Sequence, residues 1–338
     1  MAGSNGSALA IAVSQAGGLG SLPCAMLSPE QARSELAKFR AATSAPVNVN
    51  FFCHAEPQPD IAREAAWRQK LEGYYAEFAL TEADAVTAPA RTPFDDAMCE
   101  VVEEFAPEVV SFHFGLPERR LLDRVRATGA KMISSATTVD EAHWLEEHGC
   151  DAIIAQGVEA GGHRGMFRSE NIATQAGLFA LLPLIADAVK CPVIASGAIA
   201  EGRGVAAAFA LGASGVQIGT AYLFCPEATA SALHRAALRE AKDDTTALTN
   251  LFSGRPARGI VNRLMLEAGP MSDTAPAFPL ASAALAPLRA KAEKAGSGDF
   301  SPLWSGQAAA LCRDMPAGEL TQQIADEALA ILTRLAPK

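Results

Sequence analysis

Short apolar segments that end in glycine or polar residues alternate with helical stretches as far as Gly219, and this alternation restricts the fold more than any other feature. The apolar segments are Leu19–Ser21, Val47–Phe51, Val109–His113, Met132–Ser135, Ala152–Gln156, Val193–Ser196 and Gly215–Gly219. The helical stretches are Ser7–Ala16, Pro29–Ala42, Ala62–Leu80, Pro117–Thr128, Val139–Gly149, Gly177–Val189 and Gly202–Leu211. Such repeated alternation predicts βα units and a parallel sheet.

The number of strands indicates a TIM (β/α)8 barrel with one strand absent. A closed barrel of this class has eight parallel strands, but the sequence shows seven, and only the six residues MAGSNG precede the first predicted helix. We therefore expect an α/β fold, a (β/α)8 barrel that lacks its first strand, and we expect truncation at that strand as the reason. A domain that uses seven strands, or borrows one, is the alternative.

The alternation stops near residue 228, which indicates a second region. A polar loop, SGRPARG, occupies residues 253–259. We predict a barrel over residues 1–228 and a helical lid over residues 229–338, packed over the mouth of the barrel. The helices predicted in the lid are Thr229–Lys242, Ala283–Ala295, Ser305–Cys312 and Gly318–Leu335.

Composition and charge exclude several classes of function. The net charge of −10 and the isoelectric point near 5.2 argue against nucleic acid and anionic membranes as partners. No apolar run is long enough to span a membrane, and the N-terminus lacks the basic residues of a signal peptide. The seven cysteines form no CxxC pair and the six histidines form no ligand pair. We therefore expect free thiols, a cytoplasmic location and no metal site. We also expect a monomer or a homodimer.

Glycines after the last two predicted strands indicate a phosphate site. Gly197 follows one strand and precedes the glycine-rich start of a helix, while Gly219 and Thr220 close the next strand. Backbone N–H groups at such turns bind anions, and in barrels the phosphate site commonly lies after these late strands. The alternative is that these glycines only form tight turns.

Two histidines lie at predicted strand ends, where barrel enzymes place their catalytic groups. His163 lies in the glycine-rich loop QGVEAGGHRG, and we predict that it acts as an acid or base. Its neighbours Glu159 and Arg164 either orient it or form a surface pair. His113 ends the segment SFHFG and either lines a substrate pocket or is a core histidine bonded to a backbone carbonyl.

Side-chain amides also lie at three strand ends, at Asn50, Gln156 and Gln217. An amide offers both a donor and an acceptor, which suits the edge of a flavin or a nucleobase. No lysine follows the end of a strand, as a Schiff-base aldolase requires, and no GxGxxG follows an early strand. The strand ends therefore favour an aromatic cofactor with a phosphate tail.

Motifs along most of the chain resemble those of a known family. They include PVNVNFFCH, VVSFHFGLP, AQGVEAGGHRG, ASGAIAEGRG, GASGVQIGTAYLFCPE and SGRPARGIVN. These motifs resemble those of the nitronate monooxygenases, formerly called 2-nitropropane dioxygenases, and especially the bacterial class I group. AGGHRG combined with GVQIGT is specific, whereas AGGLGS also occurs in related enoyl-thioester and quinone reductases.

The resemblance implies an FMN-dependent TIM barrel and assigns roles to matching positions. His163 would abstract a proton from nitroalkanes, and His113 would lie near the substrate. Met1 matches the methionine that closes the family's first strand, and we count it among the cofactor-binding positions. Asn50 and Gln156 would contact the flavin ring. The positions that would hold the ribityl chain and the phosphate are Gly161, Gly197, Gln217, Gly219 and Thr220.

The C-terminal region departs from the class I pattern. That group carries tyrosines and a lysine near the flavin, but this chain has Phe278 and Ser282 in the corresponding stretch and no lysine before Lys291. The expected activity is oxidation of alkyl nitronates or nitroalkanes with O2 to a carbonyl compound and nitrite, in a more apolar pocket. An NAD(P)H-dependent flavin reductase of quinones or enoyl thioesters, and a non-catalytic flavin-binding barrel, are the alternatives.

Overall fold

Seven parallel strands form the central sheet of the computed structural model, which describes residues 1, 3–81 and 91–336. Each strand pairs with the next one along the chain, so that all seven carboxyl ends meet at one edge. All seven predicted strands are confirmed, with ends that differ by at most a few residues. They are β1 (Gly20–Pro23), β2 (Val47–Phe52), β3 (Val109–His113), β4 (Lys131–Ala136), β5 (Ala152–Gln156), β7 (Val193–Ser196) and β8 (Gly215–Gln217).

The sheet curls into an open, TIM-barrel-like structure, and the predicted fold class is confirmed. Within the described ranges, β1 and β8 are its two edges and do not pair with each other. Alternation along β2 separates the two faces: Val47 and Val49 pack against the outer helices, whereas Asn48 and Asn50 bond to Ser21 and Ser111 on neighbouring strands. The inner face of the sheet is therefore polar next to β1.

Twelve α-helices accompany the sheet in the part of the chain that the structure describes. Six of them begin at a side-chain cap; Ser28, for example, forms a capping box with Gln31 ahead of Pro29. The helices are α1 (Ser7–Gln15), α2 (Pro29–Ala42), α3 (Ile61–Glu77), α4 (Asp96–Phe105), α5 (Arg119–Ala127), α6 (Val139–Glu147), α7 (Leu178–Ala188), α8 (Gly202–Ala210), α9 (Ala232–Glu240), α10 (Arg263–Ala268), α11 (Ala281–Lys294) and α12 (Ala317–Leu335).

Helix α4 was not predicted, and α3 lies in a different place from the barrel position that was predicted for it. Helix α4, capped by the Asp95 side chain, packs between α2 and α5 around the barrel. Helix α3 lies instead against α11, where the Trp67 indole donates to the carbonyl of Ala281 at 3.2 Å. Two helices thus separate β2 from β3, and the second of them is the barrel helix.

The C-terminal region is only partly helical. Two strands that were not predicted, β9 (Thr246–Thr249) and β10 (Ala257–Ile260), join a two-residue strand, β6 (Gly162–His163), in an antiparallel sheet. The helix predicted over Ser305–Cys312 is wrong apart from a 3₁₀ turn at Ala309–Leu311. Helix α12 packs on α1 and α8, along the flank of the barrel. The boundary at residue 228 stays a prediction.

No helix in the described ranges combines the length and the apolar character needed to cross a membrane.

Candidate functional site

The ring of His163 lies between the barrel and the C-terminal region. Strand β6 pairs with β10, so that His163 stands opposite Ala257, and its Nε2 lies 2.8 Å from Ser253 Oγ. Aromatic rings surround it: the centroids of Phe52, Phe278 and Trp304 lie 6.2, 5.2 and 5.4 Å from that of His163. The pairing of β6 with β10 thus brings the predicted acid–base residue into an aromatic environment.

Two predicted site residues hold the backbone of His163. Its carbonyl accepts from Gln156 Nε2 at 3.0 Å and from His113 Nε2 at 3.1 Å. The Gln156 oxygen accepts from the backbone N–H of Gly165 at 2.7 Å. His113 Nδ1 lies 3.1 Å from Ser135 Oγ, so His113 donates through Nε2 and accepts through Nδ1. Of the two readings of His113, the structure shows the bond to a backbone carbonyl.

His113, His163 and also His54, whose ring contacts that of Phe278, are held in their neutral form. Burial lowers the pKa of His113 to about 3 and that of His54 to about 4, and it lowers the pKa of His163 well below its usual value. The guanidinium groups of Arg91 and Arg255 lower the pKa of His163 further. A neutral imidazole retains one lone pair and can therefore accept a proton.

Glu159 and Arg164 do not form a surface pair, and they act on His163 only indirectly, through the loop that carries it. Arg164 is fully buried, and its guanidinium donates to the carbonyls of Gln156 and Gly157 at 2.7 and 2.8 Å and to the side chain of Gln175 at 2.9 Å. The Glu159 carboxylate accepts from the N–H of Leu178, the first residue of α7, at 2.9 Å. Both residues fix the loop that carries His163, but they do so through its backbone and its next helix.

Three loops and a C-terminal segment meet at the predicted phosphate position. Gly306 N–H donates to Thr220 Oγ1 at 2.9 Å, which leaves the hydroxyl proton of Thr220 free to donate elsewhere. A Cβ on Gly161 would lie 2.5 Å from the nitrogen of Gly306, so glycine is needed there for close packing of two backbones. Gly197 has φ +127°, a conformation that favours glycine.

The gap between the edge strands β1 and β8 borders the predicted phosphate position. A Cβ on Gly219 would meet only the side chain of Met1, at 3.8 Å, and Gln217 is exposed at the edge formed by β8. Asn50 Nδ2 donates to Ser111 Oγ at 2.9 Å, and its oxygen makes no hydrogen bond to any described residue. Thr220 and Asn50 thus present one free donor and one free acceptor.

The aromatic surroundings continue beyond His163 and carry two cations. Phe52, Phe114 and Phe278 pack together, with His54 edge-on to Phe278 at 4.8 Å. The guanidinium carbon of Arg255 lies 4.1 Å from the ring centroid of Phe114, and that of Arg91 lies 5.5 Å from the ring centroid of Phe278. In the ranges given above, no carboxylate forms an ion pair with either guanidinium. We call these three phenylalanines, His54, His163 and Trp304 the aromatic cage.

Several residues of this site were not predicted from the sequence. Three motifs of the sequence, FFCH, SFHFG and SGRPARG, contain five of them, but the resemblance assigned these five residues no role. A cavity of about 270 Å³ reaches the aromatic cage at Phe52, and Ala25 also lines it. The missed residues are Phe52, His54, Phe114, Ser253, Arg255, Trp304 and Gly306.

Known proteins match nearly the whole chain. A model of the nitronate monooxygenase family matches residues 1–327. A nitronate monooxygenase of Pseudomonas aeruginosa is 42% identical over 329 residues, which cover 97% of this chain and 94% of that protein. One from Paraburkholderia phytofirmans is 41% identical over 330 residues, 97% of this chain and 90% of that protein. A nitroalkane oxidase of Streptomyces ansochromogenes has a TM-score of 0.90 and 38% identity, covering 99% of this chain and 96% of that one.

Proposed function

Since the chain belongs to the nitronate monooxygenase family and is an oxidoreductase, we propose that it uses FMN and O2 to convert alkyl nitronates to a carbonyl compound and nitrite. The single observation that carries the proposal is the position of the His163 imidazole, which lies among aromatic rings with its Nε2 bonded to Ser253. A base in such a place suits the removal of an acidic α-proton, and an apolar wall suits an alkyl group.

The chain offers suitable groups for FMN. The free oxygen of Asn50 can accept a hydrogen bond from the flavin ring. Gln156, at the start of the loop that carries His163, is the second proposed contact of the ring. Thr220 can donate to the phosphate, beside the open face of Gly219 and the turn at Gly197. Gly161, Gln217 and Met1 complete the proposed contacts. FMN, when bound, supplies the electron transfer between the nitronate and O2.

The protein's own residues would prepare the substrate. His163 accepts the α-proton of a neutral nitroalkane, and the positive charges of Arg91 and Arg255 favour the anionic nitronate that results. The cage excludes water and strengthens these electrostatic interactions. His113 is proposed as part of the pocket wall, since its ring lies 4.5 Å from that of Phe114.

Measurements on the purified protein test the proposal. We expect a flavin absorbance spectrum, a released cofactor with the mass of FMN, and nitrite formation with O2 consumption when ethyl nitronate is added in air. Rapid bleaching of the flavin by NADH without oxygen would instead indicate the reductase. A folded but colourless protein that binds no added FMN would overturn the cofactor assignment and indicate the non-catalytic alternative.

A further inference from the structure

We propose that Ser253 is a positioning residue for His163: its hydroxyl accepts from Nε2–H and thereby directs the lone pair of Nδ1 into the aromatic cage. Ser253 lies 90 residues from His163 in the sequence and is 1% exposed. The inference rests on the proposed function for its catalytic consequence, but its structural statement, which nitrogen of His163 carries the proton, stands separately.

The turn that carries Ser253 is fixed at both ends. Gly254 has φ +90°, its N–H donates to the carbonyl of Asn250 at 2.7 Å, and a Cβ there would lie 2.0 Å from the carbonyl oxygen of Pro276. On the other side, the backbone N–H of Arg164 donates to the carbonyl of Pro256 at 2.8 Å. The hydroxyl of Ser253 is therefore held against His163 by backbone contacts on each side.

Counting protons assigns the direction of the bond between His163 and Ser253. Ser253 Oγ lies 3.3 Å from the carbonyl of Arg255 and 2.8 Å from His163 Nε2, and a serine has only one proton to donate. If Oγ–H donates to Arg255, then Nε2–H donates to Oγ, and both groups are satisfied. The opposite arrangement leaves the carbonyl without this donor and an Nδ1–H without an acceptor among the described residues. The first arrangement is favoured because it gives both the Nε2–H of His163 and the carbonyl of Arg255 a partner within the protein.

The chemical consequence is a base with a defined orientation. The α C–H bond of a neutral nitroalkane breaks, its proton forms a bond to Nδ1, and its electron pair moves onto the nitro group as the nitronate. The imidazolium that results still donates through Nε2–H to Ser253, which continues to donate to Arg255. This is the same logic by which a third group orients the base in other acid–base sites. A nitronate supplied as such needs no proton removed and hence no oriented base.

That difference between substrates provides the test in the FMN-loaded protein. We expect Ser253→Ala to lower kcat/KM for neutral nitroethane by about 10²-fold, while kcat/KM for ethyl nitronate falls only a few-fold. Ser253→Thr retains the hydroxyl and should restore most of the nitroethane activity. Ser272→Ala is the matched control, because Ser272 is also buried in this region but bonds to Thr274 and Lys70. Its ratio of the two activities should equal that of the unchanged protein.

A spectroscopic readout does not depend on turnover. Nitrogen-15 NMR of histidine-labelled protein, with the His163 signals assigned by their loss in His163→Asn, reports which ring nitrogen carries the proton. We expect Nε2–H in the unchanged protein and a mixture of both tautomers in Ser253→Ala. An Nδ1–H tautomer in the unchanged protein, or equal losses for nitroethane and ethyl nitronate in Ser253→Ala, would overturn the inference. Absence of nitronate turnover with an Nε2–H signal would instead refute only the proposed function.

Discussion

The barrel and the C-terminal region contribute different kinds of group to one site. The barrel supplies polar atoms at strand ends, of which Gln156 and His113 both hold the carbonyl of His163. The C-terminal region supplies the ring of Phe278 and the hydroxyl of Ser253, which act on the side chain of the same histidine. The barrel thus fixes where His163 lies, and the C-terminal region fixes how its ring is oriented and what surrounds it.

The two regions also differ in how they were predicted. Barrel strands are short apolar runs that end in glycine or a polar residue, and all seven follow from that local pattern. Strands β9 and β10 have four residues each and carry no comparable run, so only their partners make them strands. The difference indicates that local pattern identifies the barrel's contribution to the site, whereas the C-terminal contribution depends on contacts distant in sequence.

The largest expected effect concerns the residue where the two regions meet. We expect His163→Asn to lower kcat/KM for neutral nitroethane by about 10²- to 10⁴-fold, because the base that accepts the α-proton is lost. Ethyl nitronate should be affected much less, since its proton is already absent. Steady-state oxygen consumption with both substrates measures this. His143→Asn, at an exposed position on α6, is the control, and an equal loss in both variants would remove His163 from the mechanism.

The second largest effect concerns stability and tests only the barrel, whose Arg164 holds the loop that carries His163. Arg164→Met should destabilise the protein by about 3 kcal/mol, because the carbonyls of Gln156 and Gly157 lose charged donors in a buried place. Denaturant unfolding measures the free energy. Arg168→Met is the matched control: Arg168 belongs to the same loop but forms an exposed ion pair with Asp140, so its loss should cost about 0.5 kcal/mol. Similar losses of unfolding free energy in the two variants would show that the buried hydrogen bonds of Arg164 add nothing to stability.

The site, like the fold, was predictable where local sequence pattern decides and not where contacts distant in sequence decide. That Asn50, His113 and His163 lie near the carboxyl ends of barrel strands followed from the sequence, because parallel strands bring those ends together. The place of His163 in β6, paired with β10, did not follow from it. Nor did the partners of these residues: His113 could be assigned to the carbonyl of His163 only once the loop was in place. The neutral state of His54 is also a tertiary property, because it comes from burial among rings contributed by separate segments.

The smallest expected effect tests the C-terminal part alone. Gly306→Ala adds a Cβ that would lie 2.9 Å from the carbonyl oxygen of Glu159 and 3.4 Å from Thr220 Oγ1. The segment must shift away from the proposed phosphate position, and we expect the affinity for FMN to fall about tenfold, which corresponds to about 1.4 kcal/mol. Fluorescence titration of the FMN-free protein measures this. Gly73→Ala, in an exposed turn of α3 with nothing within 4 Å, should leave the affinity unchanged. If both variants bind FMN equally well, the barrel holds the cofactor without the C-terminal segment, and the division of roles between the two regions applies to His163 alone.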